Sequence, residues 1–307
     1  MEHNDLFDEV VELPNAKAQQ QFSELVGLDK AKELLLKEGR LLLNPQLLAE
    51  WSRKFHKVVL PSVEGFQKKP PLIVFSGDVG TGKTSLANSF GDPIARSENI
   101  RITVMRLSLI TRGRGAVGEM THLIACAFDE VARVAKRGYT ERTKPRSAVI
   151  FIVDEADSLA ESRDLEQMHH EDKAGVNALI RGIDRLTQES IPVLVVLCTN
   201  RHDAMDPAVL RRAAAHHKFE RPTPEQISCI LQQALAGALG TPETDKLAAL
   251  VGPTPKREYG YTFSDITQRF LPNLLLEAYP DQPITFDLAA SVAQRIEPTR
   301  PFNHDKP

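Results

Sequence analysis

The stretch Gly77-Asp78-Val79-Gly80-Thr81-Gly82-Lys83-Thr84 stands directly after the apolar run LIVF at 72–75 and directly before the helical pattern TSLANSF. A glycine loop between a strand and a helix can turn successive backbone N–H groups toward phosphate oxygens, and the helix N-terminus adds partial positive charge. Lys83 is then placed for the β and γ phosphates and Thr84 for a hydroxyl ligand to Mg²⁺, with Ser85 closing the binding stretch. A chance glycine turn could match the spacing, but it would not require this strand and this helix on either side. Further along, AVIFIVDEADSL ends an apolar run in Asp154 and Glu155. Beside a phosphate loop these carboxylates have separate roles: Asp154 in the Mg²⁺ shell and Glu155 as the base that polarises an attacking water. The plainer alternative is that Asp154 caps a helix. A third apolar run, PVLVVLCTN, ends in Thr199 and Asn200, and an amide there can orient the water, although asparagine also simply ends strands. Arg211 and Arg212 follow in DPAVLRRAA, either as surface salt-bridging arginines or as cations supplied to a neighbouring subunit's nucleotide.

Such residues need rigid elements to hold them. Between 72 and about 222 the chain alternates near-continuous Val/Ile/Leu runs with helical segments, the pattern of strands buried on both faces of a parallel sheet. After Arg221-Pro222-Thr223-Pro224 the β-type runs stop, and EQISCILQQALAGAL, ETDKLAALV, SDITQRFLPNLLLEAY and FDLAASVAQRI read as helices. The expectation is an α/β domain at 21–222 and a smaller helical domain at 223–297. A short, loosely packed segment at 1–20 and a frayed, proline-rich tail at 298–307 complete the division. Upstream, FSELVGLDKAKELLLKEGRLLL reads as a turn and one long helix, and KVVLPSVEGFQKKPP as a surface connection into the first strand of the alternating region.

The 307 residues are 42% hydrophobic and 26% charged, which fits a folded globular chain of about two domains. A net charge of −3 gives no global basic field for nucleic acid or an anionic membrane. The acidic N-terminus is unlike a targeting peptide, no apolar run reaches membrane-spanning length, and a cytoplasmic location is expected. Cys126, Cys198 and Cys229 lack metal or disulfide spacing and read as small apolar residues. His169-His170 and His216-His217 read as exposed pairs. The cluster Arg133, Lys136, Arg137, Arg142, Lys144 and Arg146 reads as a solvated face.

In the order of these features the chain resembles the AAA+ ATPases from Phe22 to about Ala290. VGLDKAKELL, with Val26 and Gly27, matches the segment that packs on adenine in that superfamily. The phosphate loop, acid pair, sensor asparagine Asn200, arginine finger and helical lid then come in sequence. The most similar branch is the pachytene-checkpoint ATPases that remodel HORMA-domain proteins, on SLITRGRG, IVDEADSLAESR, DKAGVNALIRGIDRL and the lid motif Arg269-Phe270-Leu271-Pro272. The resemblance implies a P-loop NTPase sheet with a C-terminal helical lid, ATP and Mg²⁺ as cofactors, and a homo-oligomeric ring, of six subunits in the family. It places Arg212 at the finger position with Arg211 assisting, and a second sensor at Arg269.

Departures from that family matter too. The pore loop, which carries a gripping aromatic in those proteins, reads here TRGRGAVGE at 111–119, so grip falls to Arg112, Arg114 or Val117 around Gly113. Arginine stems can pack on a peptide and pair with its acidic groups, yet they can equally track nucleic-acid phosphates. Hence a nucleic-acid-engaging ATPase, such as a loader or helicase accessory, is the alternative. A nucleotide-gated scaffold that barely hydrolyses is a second. Only about 20 residues precede the ATPase core, too few for a separate adaptor-holding domain. The sequence is in this respect similar to compact bacterial members that accompany HORMA proteins and cyclic-oligonucleotide synthases in antiphage signalling.

Overall fold

The computed structural model describes residues 6–108, 119–137, 139, 144–156, 170–201, 205–254 and 257–301. The chain divides into two compact units, one made of residues 1–24, 30–76 and 84–218, the other of 25–29, 77–83 and 219–307. The second unit is discontinuous in sequence, because the glycine loop and the turn at 25–29 are counted with the C-terminal helices.

The first unit is built on a sheet of order β1-β3-β4-β5-β2-β6, formed by β1 Glu9–Leu13, β2 Leu72–Gly77, β3 Arg101–Ser108, β4 Ser147–Asp154, β5 Val193–Thr199 and β6 Ala215–Phe219. β3, β4, β5 and β2 run parallel, and β1 pairs antiparallel to β3 with Leu13 opposite Ile102. Every residue of β5 and the central six of β4 are buried, which is why these strands are unbroken apolar runs in sequence. β1 is different. Its burial alternates, with Val10 half exposed and Leu13 buried, as expected of a strand at a sheet edge. The expected loose segment at 1–20 is therefore corrected: residues 9–13 add a strand, and α1 (Ala16–Glu24) comes next.

Helices α2 (Asp29–Leu43), α3 (Gln46–His56) and α4 (Pro61–Gln67) lead into β2, so the region read as a surface connection contains a helix begun by Pro61. α5 (Lys83–Ser89) and α6 (Gly91–Glu98) connect to β3, and α7 (Glu119–Ala135), α8 (His170–Glu189) and the single turn α9 (Pro207–Leu210) complete the unit. On one sheet face, Phe151 of β4 meets Phe128 of α7 edge-on at 5.2 Å and Phe7 edge-on at 6.0 Å. These rings join Val131, Leu179 and Ile183 in a single apolar cluster that fixes α7 and α8 to the strands.

The second unit holds α10 (Pro224–Ala234), α11 (Thr241–Val251), a π-helical turn at Asp265–Phe270, α12 (Leu271–Ala278) and α13 (Phe286–Arg295). Thr223 and Gln226 form a reciprocal capping box that starts α10 where the sequence changes character. Ile227, Leu231, Leu247, Phe270, Leu274 and Val292 pack together with Tyr261. The Tyr261 hydroxyl lies 2.7 Å from the carbonyl of Ala293 and 2.9 Å from that of Ile296, and burial pushes its pKa up to about 12.

Candidate functional site

The glycine loop lies in the second unit and is shaped by close approach. A Cβ on Gly77 would fall 2.1 Å from the carbonyl oxygen of Phe219, and Gly80 has a φ of +73° with Thr262 Oγ1 2.7 Å from where its Cβ would stand. At Gly77 a side chain would collide with the backbone of Phe219, and at Gly80 the left-handed φ and the side chains of Thr262 and Ser264 both favour glycine. Ser264 N–H donates to the Gly80 carbonyl at 3.1 Å, and Thr81 Oγ1 donates to the carbonyl of Asp78 at 2.7 Å. Lys83 is buried, its Nζ donating to the carbonyls of Gly77 (2.9 Å) and Asp78 (2.8 Å). An ammonium held by two neutral carbonyls inside a glycine loop can exchange them for phosphate oxygens without being uncovered from scratch.

In the first unit the next residue, Thr84, donates through Oγ1 to Asp154 Oδ1 at 3.2 Å. Two hard oxygen groups at this separation suit Mg²⁺, which favours carboxylate, hydroxyl and water over nitrogen or sulfur. The parallel ladder explains why Asp154 is there: Val153 is opposite Leu197, Ser76 is opposite Thr199, and Ala156 N–H donates to the Cys198 carbonyl at 2.9 Å. The C-terminal ends of β4, β5 and β2 are thus level, where open α/β sheets bind ligands. Glu155 has a positive φ of 54° and its N–H donates to Asp154 Oδ1 at 3.1 Å. This left-handed turn, unfavourable for glutamate, bends the chain away from the strand as soon as the acid pair is reached. Asn200 stands directly after β5, half buried, next to Arg201, whose N–H bonds Thr199 Oγ1 at 3.0 Å.

Arg212 forms a two-pronged pair with Asp184 of α8, Nε to Oδ1 at 2.6 Å and Nη2 to Oδ2 at 2.9 Å, and its Nη1 donates to the Ala208 carbonyl. The Asp184 bonds hold its pKa above the usual arginine value. Arg211 is exposed at the end of α9. Of the two histidines after them, only His217 departs from expectation: it is buried and bonds Glu38 of α2 at 2.8 Å, because β6 is a strand of the sheet. His216 is exposed, as expected, with its Nε2 2.7 Å from Ser76 Oγ.

On the second unit, Val26 packs against the helical core and the Gly27 carbonyl accepts from Gln226 Nε2 at 2.7 Å. Arg269 donates through Nη1 to Asp265 (2.8 Å) and to the Glu297 carbonyl (3.0 Å). Asp265 is fully buried; Oδ2 accepts from the N–H groups of Thr262 and Thr299 at 3.0 Å each, and Oδ1 from Thr299 Oγ1 at 2.7 Å. Burial pushes its carboxyl up, but these bonds and the Arg269 guanidinium outweigh it and hold it below the usual range. Thr299, in the stretch expected to fray, is therefore fastened. Sequence reasoning also missed Arg221, whose Nε and Nη2 donate to Asp78 Oδ2 at 2.8 and 2.6 Å.

The pore-loop residues Arg112, Gly113, Arg114 and Val117 lie outside the described residues, as do His169, the side chain of His170, and Arg142. In the basic cluster, Arg133 pairs with Glu130, Lys136 with Glu189 and Lys144 with Glu98. A cavity of about 340 Å³ in the first unit, lined by Asn44, Phe66, Pro71, Tyr139 and Pro192, is at the other end of the strands from Asp154.

Residues 73–222 match the family described as ATPase family associated with various cellular activities (AAA). CD-NTase-associated protein 6 of Escherichia coli (strain MS 115-1) is 45% identical over 300 residues, covering 97% of this chain and 96% of that protein. This chain belongs to the CD-NTase-associated protein 6 family of AAA ATPases. Two solved structures agree with that membership. A chain in the HORMA:CdnC:Trip13 complex of E. coli MS115-1 superposes with a TM-score of 0.89 at 45% identity, covering 97% of this chain and 98% of that one. Rhizobiales Trip13 gives 0.74 at 40% identity, with 96% and 100% covered. For this AAA ATPase the fold class and the family read from sequence are those the comparisons show. No described helix is long and apolar enough to cross a membrane.

Proposed function

We propose that this AAA ATPase hydrolyses ATP with Mg²⁺ as a homo-oligomeric ring and uses the cycle to open or take apart a HORMA-domain protein or its complexes. The regulated system is a bacterial antiphage pathway built around a cyclic-oligonucleotide synthase. The observation that carries the reading is likeness along nearly the whole chain, 45% identical with 97% covered, to a protein solved in a HORMA:CdnC:Trip13 complex. In this reading residues 77–85 bind the phosphates through backbone N–H groups and Lys83. Thr84 and Asp154 would hold Mg²⁺, which when bound neutralises charge on the phosphates. Glu155 accepts the proton of the attacking water, Asn200 orients that water, and Val26 and Gly27 receive the adenine. Arg269 serves as second sensor. Arg212, helped by Arg211, acts on a neighbour's nucleotide, and to do so it must exchange the Asp184 oxygens for phosphate oxygens, which ties hydrolysis to assembly. Arg112, Arg114 and Val117, around Gly113, grip the substrate.

The test is ATPase stimulation. The HORMA-domain substrate should raise turnover severalfold, and single-stranded or duplex DNA should not. Stimulation by DNA that falls steeply with salt, without any response to the HORMA protein, would overturn the remodelling reading in favour of the nucleic-acid alternative.

A further inference from the structure

Asp78 is an unexpected residue in a loop that cradles phosphate. Within residues 77–84 it sets a carboxylate against the charge of Lys83 and leaves the loop with no net positive charge for a polyphosphate. Its two oxygens are used separately. Oδ1 accepts from the N–H of Val79 at 3.0 Å, while Oδ2 accepts from Arg221 Nε at 2.8 Å and Nη2 at 2.6 Å. The same guanidinium reaches two further segments of the second unit, with Nη1 donating to the Gly260 carbonyl at 2.6 Å and Nη2 to the Thr299 carbonyl at 2.7 Å. The side chains of Arg221 and Asp78 are only 14% and 17% exposed, so solvent screens the pair weakly. The ring of Tyr259 lies 5.1 Å from the guanidinium carbon.

We propose that Arg221 is a positioning residue for the nucleotide: it neutralises Asp78 and fastens the phosphate loop to the segments at 260 and 299. The inference rests on reading residues 77–84 as the nucleotide loop, and it goes beyond that reading by placing an essential cation outside the loop. Arg221 restores the positive balance that a triphosphate requires. It also holds the Asp78 carboxylate turned away, with Oδ1 on the Val79 N–H, so that the loop is ordered before phosphate arrives. The C-terminal segment becomes part of the support through the Thr299 carbonyl, which accepts from Arg221 while the Thr299 N–H and hydroxyl bond Asp265. Without Arg221 a largely buried carboxylate loses its paired guanidinium next to the incoming phosphate.

The experiment is equilibrium binding of a fluorescent ATP analogue to the full chain, with thermal unfolding recorded for every variant. Arg221→Ala should bind about tenfold more weakly than wild type. Adding Asp78→Asn to that variant should recover about half of the loss on a logarithmic scale, because the charge that needed compensation is gone. A prop that acted only on stability would show no such rescue. Arg221→Lys keeps the charge but cannot reach Asp78, Gly260 and Thr299 together, so it should bind about threefold more weakly, and it carries the test should Arg221→Ala not fold. Wild-type affinity in the folded single variants, or a double variant no better than Arg221→Ala, overturns the proposal. Lys83→Ala separates the two levels: if it binds the analogue as wild type does, the loop reading itself fails, and the role of Arg221 with it.

Discussion

Replacing Asp265 with alanine should unfold the second unit at markedly lower temperature. Its carboxylate is fully buried and receives four donors: the N–H groups of Thr262 and Thr299, the Thr299 hydroxyl and the Arg269 guanidinium. Hydrogen bonds to a charged group contribute about 1.5–3 kcal/mol each, but members of one network do not add. Breaking a buried pair by removing one partner costs about 3–5 kcal/mol, which is the figure to use for the whole cluster. For a unit of about 100 residues each kcal/mol moves the midpoint by about 4–8 °C, so a fall of at least about 12 °C is expected. Asp265→Asn keeps the shape and should cost less. The first transition in calorimetry or circular dichroism reads this directly. A shift below about 4 °C for Asp265→Ala would mean that the network does not hold Thr299 and Arg269 in the way described. The pH dependence has a definite sign. Because the folded pKa of Asp265 is depressed, the unfolded chain binds more protons just below the ordinary carboxylate range, and stability there rises with pH. Its contribution is complete above that range and is lost as pH falls through the folded value; Asp265→Asn should flatten this acid limb.

Thr84→Val should raise the Mg²⁺ concentration needed for half-maximal turnover by about tenfold or more while the chain stays folded, measured by titrating Mg²⁺ into an ATPase assay; an unchanged requirement would remove Thr84 from the metal shell. Arg212→Ala should abolish turnover but leave ATP binding intact, and mixing it with Lys83→Ala subunits should restore part of the rate, since each supplies what the other lacks. Asp184→Asn loosens the pair that occupies Arg212 within its own chain and should alter turnover in the assembled protein, whereas an effect of Arg211→Ala alone would shift the finger role to the exposed neighbour.

The elements that position the phosphates were legible because parallel strands buried on both faces cannot avoid long apolar runs. Leu72 to Phe75 and the whole of β5 announce themselves in this way, and the glycine loop is recognised by its place at the C-terminal end of β2. β1 was not legible. EVVEL alternates between faces at a sheet edge, and its acidic residues resemble a solvated leader until the pairing of Glu9 with Arg106 is known. The roles of His217 and Arg221 were hidden for a different reason. His217 meets Glu38 and Arg221 meets Asp78 across large sequence separations, and no local spacing rule links such partners. Asp265 and Thr299 share that property, so Thr299 was read as part of a frayed tail although its backbone N–H and its side chain are both bonded to Asp265.

The most direct test of the account is Glu155→Gln examined for nucleotide and substrate together. The amide keeps the size of the side chain after the strand but cannot take a proton from water. The account predicts that the variant binds ATP as wild type does, hydrolyses it at least about a hundredfold more slowly, and retains the HORMA protein in a stable complex that wild type releases. Hydrolysis at the wild-type rate would contradict the assignment of Glu155. A hydrolysis-dead variant that binds ATP yet never holds the HORMA protein would contradict the function.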